Sequence, residues 1–106
     1  SDWGCVMEIR TRADNERYLV RDMDMGGFTA SITELHPSQS TLGHSHPWTE
    51  AYLLIEGIGT LHVGVKDPYV MSRGTIYKIS AGVDHRVSTD AGVSFACFFV
   101  GDRGSK

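Results

Sequence analysis

The stretch Gly43-His44-Ser45-His46-Pro47-Trp48-Thr49-Glu50 concentrates chemistry: it places two histidines and a carboxylate within seven positions of a chain that has five histidines in all. Two neutral imidazoles and one carboxylate are the donor set that holds a divalent transition ion. On a strand, alternate side chains share a face, so His44 and His46 would project to the same side. Pro47 cannot continue a regular ladder, so a short turn is expected there. A returning strand that begins near Glu50 would carry its carboxylate back towards the two imidazoles. A fourth donor is available in His85, which follows the turn Ser80-Ala81-Gly82 and opens another strand-like run. His36 and His62 also lie on predicted strands, but no geometric reason assigns them as ligands.

The elements that must position these groups follow from punctuation. Twelve glycines and three prolines divide the 106 residues into short runs rich in Val, Ile, Thr, Tyr and Phe. Residues 6–12, 18–24, 28–36, 50–56, 59–66, 69–72, 75–79, 85–89 and 93–100 read as strands. Asp14-Asn15, Gly26-Gly27, Gly57-Ile58-Gly59, Asp67-Pro68, Arg73-Gly74, Ala81-Gly82 and Asp90-Ala91-Gly92 separate them as turns. Many short, evenly spaced strands indicate an all-β antiparallel sandwich or small barrel. With no internal repeat or linker, residues 1–106 read as one domain. Residues 47–57 also fit a helix, with Pro47 in its first turn and Gly57 as its terminator. Local propensity leaves both forms open, and the β-rich neighbourhood favours a strand.

Composition excludes several classes. Hydrophobic residues make up 41% and charged residues 22%, a globular balance without a disordered signature. The net charge is −3 and basic residues do not cluster, which argues against nucleic-acid binding. The apolar runs fall far short of a membrane span. No secretory leader is evident at the start, and a cytoplasmic protein is the expectation. Cys5 and Cys97 could form one disulfide, but a reduced pair is the expected state, and a cysteine-built zinc site is not supported.

The wider pattern resembles the cupin superfamily. The first motif of that family, G-x5-H-x-H-x3,4-E-x6-G, is matched by His44, His46, Glu50 and Gly57, with Ser38 in the leading glycine position. The second, G-x5-P-x-G-x2-H-x3-N, is matched by Gly74, Gly82 and His85, with Ser80 in the proline position and Thr89 in the asparagine position. The three departures fall on turns and a strand end, which questions loop geometry and leaves the ligand positions filled. The resemblance implies an antiparallel jelly-roll (double-stranded β-helix) barrel. It also implies a metal held near one mouth by His44, His46, Glu50 and His85. Such a set suits iron, manganese, nickel, cobalt, copper or zinc.

Strand parity from Glu50 and His85 turns Tyr52, Leu54, Val87 and Thr89 inward, giving a mixed pocket for a small, partly polar molecule. Tyr52 is the candidate catalytic group, since a phenol beside a metal can donate a proton or a hydrogen bond. Its plainer reading is a core tyrosine. Trp48 reads as a packing residue at the mouth, Lys78 and Arg86 as solvated charges, and Cys97 as a buried inert thiol. Residues 93–100 are apolar on both faces and need a second cover, either an N-terminal strand or a second subunit. A homodimer is therefore expected, as in many small single-domain cupins. Two functions stay open: a metal-dependent dioxygenase, isomerase or lyase, favoured modestly, or a non-catalytic module that binds a sugar or signal.

Overall fold

Alternating burial is the organising pattern of the chain, and its strands pair accordingly. The structure is a computed structural model that describes residue 7 and residues 9–100. Nine strands follow in order: β1 (Arg10–Asp14), β2 (Tyr18–Asp24), β3 (Thr29–Leu35), β4 (Glu50–Gly57), β5 (Thr60–Val63), β6 (Tyr69–Val70), β7 (Ile76–Ile79), β8 (His85–Ser88) and β9 (Val93–Phe99). Among the described residues there is no helix. A six-stranded sheet has the order β1-β2-β3-β9-β4-β7, and a three-stranded sheet has the order β6-β5-β8. Every pairing is antiparallel. The chain is thus an all-β jelly roll, as the turn spacing and the motifs had indicated. Of the expected strand 6–12, Val6 and Glu8 lie outside the described residues, as does Cys5.

The segment that could have been a helix is β4. Its residues Glu50, Tyr52 and Leu54 are buried and alternate with half-buried Ala51 and Leu53. β9 and β7 pair with it on either side, so its backbone groups are satisfied by neighbours and the helical option is lost. Register sets the inner face in rows. Thr29, Phe99, Glu50 and Ile79 form one row, Ser31, Cys97, Tyr52 and Tyr77 the next, and Thr33, Phe95 and Leu54 a third. Leu35, Leu54, Leu61, Val87, Val93 and Phe95 form the apolar body of the core. Glu50 and His85 stand at its polar end.

The two histidines of the opening stretch are not on a ladder strand, contrary to the expectation. Between β3 and β4 the chain makes only two isolated bridges, Ser40 with Ser88 and His44 with His85. The register slips by one residue between them, so an extra residue is accommodated. There the Thr41 hydroxyl accepts from the Val87 backbone N–H at 2.9 Å, in place of a carbonyl. The segment still runs antiparallel along β8 and covers its free edge, with the Thr41 N–H donating to Val87 O at 2.8 Å and the Thr89 N–H to Gln39 O at 3.0 Å.

Candidate metal centre

The four residues picked out by spacing converge. One ligand atom from each of His44, His46, Glu50 and His85 lies within 4.8 Å of the others, on the scale of a single coordination sphere. Three different local structures bring them there. His44 and His85 exchange backbone hydrogen bonds across their bridge, at 3.2 and 2.9 Å. Glu50 is the first residue of β4 and is fixed by its ladder. His46 precedes the bend at Pro47-Trp48, and its carbonyl accepts from the Gly82 N–H at 2.6 Å.

The imidazoles are oriented by their backbones. His44 Nδ1 lies 2.6 Å from the Leu42 carbonyl, and His85 Nδ1 lies 2.9 Å from the Val83 carbonyl. A carbonyl oxygen only accepts, so Nδ1 carries the hydrogen in both rings and Nε2 presents a lone pair when the ring is neutral. This is the outer support that metal-ligating histidines need. His46 Nε2 stands 2.7 Å from Glu50 Oε1, and His85 Nε2 stands 3.4 Å from the same oxygen. Glu50 and His85 are 4% and 3% exposed. Glu50 Oε1 and His85 Nε2 are fully enclosed, and the polar atoms that face them are those of the cluster itself, without hydrogen-bond geometry between them. Such atoms are costly to bury without a partner. A divalent cation between them supplies one, so the donor set fits the ion.

In the metal-free protein, protonation is the substitute. Burial pushes the His85 imidazole down, but the Glu50 carboxylate, the Val83 carbonyl and the charge of Asp84 together more than offset it, and its pKa is raised. His62 moves the other way, lowered by burial and by the charge of Arg86. It bonds the Ser88 hydroxyl at 2.8 Å and stands outside the cluster, as does His36.

A cavity of about 320 Å³ opens beside the cluster. Glu50 and His44 border it, with Tyr52, Thr33, Cys97 and Tyr18. Tyr52 faces inward as expected, 5% exposed, stacked on Phe95 and edge-on to His85. The rest of the expected pocket needs correction. Leu54 and Val87 belong to the closed core, and the Thr89 hydroxyl is consumed in the turn, donating to Ile58 O and accepting from the Gly92 N–H. Parity gave the face correctly but not the depth. Tyr18 and Thr33, which border the cavity, were missed because only the pairing of β2, β3 and β9 brings these distant strands to it. Lys78 is exposed, whereas Arg86 is half-buried and donates to the Ser40 hydroxyl at 3.2 Å. Cys97 is buried, 4% exposed, and borders the cavity.

The motif departures hold their turns. Gly57, Gly74 and Gly82 all have positive φ, and Ser38, in the glycine position, has φ 63°. A jelly roll with this cluster at one end defines the architecture, and the comparisons define the family. Residues 31–101 match the family described as cupin domain, and the chain belongs to it. A cupin-2 domain protein of Rhodospirillum rubrum is similar in structure, with a TM-score of 0.76 and 13% identity over 91% of this chain and 70% of that one. An RmlC-like cupin from Shewanella frigidimarina gives 0.78 and 16% over 92% and 86%. The DMSP lyase DddQ from Ruegeria pomeroyi gives 0.74 and 18% over 94% and 59%. At these identities the likeness is one of fold. No curated protein matches the sequence.

Proposed function

We propose that the protein is a metal-dependent cupin enzyme acting on a small, partly polar molecule, with His44, His46, Glu50 and His85 holding one divalent transition ion. The observation that carries this reading is the pair of enclosed, hydrogen-bond-free atoms, Glu50 Oε1 and His85 Nε2, inside a cluster whose imidazoles are pre-oriented. When bound, the ion supplies Lewis acidity or activates oxygen, according to its identity. The chain's own residues do the rest. Glu50 contributes the negative charge of the site, and the backbone carbonyls of Leu42 and Val83 hold two rings in the ligating tautomer. The cavity is small, which limits the ligand. Tyr52 lines it as the candidate donor of a proton or hydrogen bond to bound substrate. That the same fold occurs in a DMSP lyase supports the capacity for chemistry, not the substrate.

A binding module is the second reading, and one observation favours it. Among the described residues lining the cavity, Glu50 is the only carboxylate and there is no Lys or Arg, so a dedicated general base or anion clamp is missing from the lining. The protein is further proposed to act as a homodimer through the outer face of its six-stranded sheet.

Elemental analysis tests the centre, on protein purified without chelator or added metal and on His46→Ala and His85→Ala. About one ion per chain in the wild type, lost in both variants with the β-sheet circular dichroism retained, is expected. Full occupancy in both variants would discard the ligand assignment. A site filled by iron, manganese, nickel, cobalt or copper favours the enzyme, and a protein that takes up no metal on reconstitution shifts the reading to the binding module.

A further inference from the structure

Three of the four cluster residues have their donor atoms fixed by ladder, bridge or backbone carbonyl; His46 is held in another way. Its ring lies parallel to the Trp48 indole, with centroids 4.8 Å apart and planes 7° apart. Trp48 is stacked in turn on Phe99, at 5.5 Å and 15°. Phe99 is 4% exposed and lies directly opposite Glu50 in the β4–β9 ladder. The three rings therefore form a continuous stack that runs from one donor residue to the cross-strand neighbour of another.

We infer that Trp48 is the positioning residue for His46, and through it for the metal centre. The inference rests on the reading of His46 as a ligand. The physical reason is geometric. The lone pair of Nε2 lies in the plane of the imidazole, so rotation of the ring swings it out of line with the ion. The bond that pins the His46 carbonyl to Gly82 does not choose the ring plane, and Glu50 Oε1, 2.7 Å from Nε2, restrains only the donor end of the ring. A flat indole packed against the ring does choose it, provided the indole cannot itself turn. Phe99, anchored in the core, supplies that restraint by stacking on the indole. The bend at Pro47-Trp48 is what folds residue 48 back over residue 46. The turn between the ligands thus carries one half of the support for the second ligand. Trp48 is a half-buried part of the centre, not merely a packing residue at the mouth.

Cobalt(II) is the probe that tests this, with affinity measured by equilibrium dialysis on the full chain and on Trp48→Phe, Trp48→Leu and Trp48→Ala. Loss of an outer support for a metal-bound histidine costs about 10- to 100-fold in affinity. That loss is expected for Leu and Ala, with the Phe variant, which keeps a planar ring, staying within about threefold of wild type. Leucine retains apolar bulk without planarity, so it separates stacking from filling of space. A second readout uses emission. In a Trp3→Phe background Trp48 is the sole tryptophan, and its fluorescence is expected to be quenched in step with cobalt uptake. Wild-type affinity in the Leu variant, or bound cobalt without quenching, would overturn the role of Trp48 and leave the metal centre standing. A wild-type protein that takes up no cobalt would remove the centre itself, and the inference with it.

Discussion

At the residue scale a buried carboxylate faces two imidazoles, and this makes the cluster sensitive to pH in two opposite ways. When no ion is bound, His46 Nε2 at 2.7 Å and His85 Nε2 at 3.4 Å both face Glu50 Oε1, and the folded pKa of His85 is raised above the ordinary histidine value near 6.5. A raised pKa means that the folded state holds the proton more tightly than the unfolded chain. The stability from this pair is therefore complete below the unfolded value, and it is lost as pH rises through the folded one. A bound metal would reverse the sign, because an imidazole that ligates must be neutral and binding would release its proton. Thermal denaturation of chelator-treated protein should thus show wild type losing stability relative to His85→Gln as pH rises through and above the histidine range. With saturating cobalt the wild-type midpoint should instead fall as pH drops through that range. A metal-free wild type that gains on His85→Gln with rising pH would mean that burial governs His85 and Glu50 does not.

Other parts of the centre differ in how far they could be read from residue types. His44, His46, Glu50 and His85 were legible because their spacing carries a pattern, and strand parity placed Tyr52 on the correct face. The stack of His46, Trp48 and Phe99 was not, since Phe99 reaches Trp48 only through the β4–β9 register, more than fifty positions along the chain. The carbonyls of Leu42 and Val83 were equally hidden, because a contact two residues away depends on loop dihedrals that side-chain identity does not encode.

At the scale of elements, the strands followed from alternation and the turns from glycine. Gly57 illustrates the strength of that signal. Its φ is +87°, and a Cβ there would collide with the backbone of Gly92 and Val93, so the position admits little else. Ser38 departs from the rule. It follows Pro37 and adopts a left-handed φ of 63°, a sequence and geometry that fit a type II turn with glycine replaced. Its N–H donates to Asp90 O at 2.9 Å, and the next residue, Gln39, accepts from Thr89 through its carbonyl, so both neighbours in this crossing are fixed. The left-handed region costs a residue with a Cβ about 1–2 kcal/mol, and glycine returns part of the gain through its freer unfolded chain. Ser38→Gly should therefore stabilise the fold by about 0.5–1 kcal/mol, a rise of a few degrees in Tm. Differential scanning calorimetry checks this, and an unchanged or lower Tm would mean that the serine side chain contributes more than its backbone strain removes. The irregular run from residue 36 to 49 was the element least legible beforehand. It is held by a partner strand and a threonine hydroxyl rather than by its own pattern.

The molecule as a whole leaves an apolar face to be covered. Register across the six-stranded sheet sets Ile32, Ala96, Leu53 and Ile76 in one outward row, and Met23, Ala30, Phe98 and Ala51 in the next. Phe98 is 39% exposed and Ile76 71%, with Ile55 and Val100 also open. Basic residues end these rows, Arg21 in the first and Lys78 in the second, while Glu34 and Glu56 lie in the adjoining outward row. Arg21 is already held by Glu34 at 3.2 Å within the chain, but a second copy related by a two-fold axis can set its Lys78 against Glu56 while the apolar rows meet at the centre. That self-complementarity is why a homodimer is the occupant proposed for this face. The prediction is that wild-type protein runs as a dimer by light scattering and that Phe98→Asp runs as a monomer, because a carboxylate without a partner in such a centre costs more than the contact it replaces. The same variant separates the two faces of β9. Phe98 points away from the core, while Cys97 and Phe99 on either side of it point inward, so the Asp variant should keep cobalt affinity within about threefold while losing its partner. A monomeric wild type at micromolar concentration would remove the dimer. Loss of metal together with the partner would show instead that the two faces are coupled through Phe99 and the stack it supports.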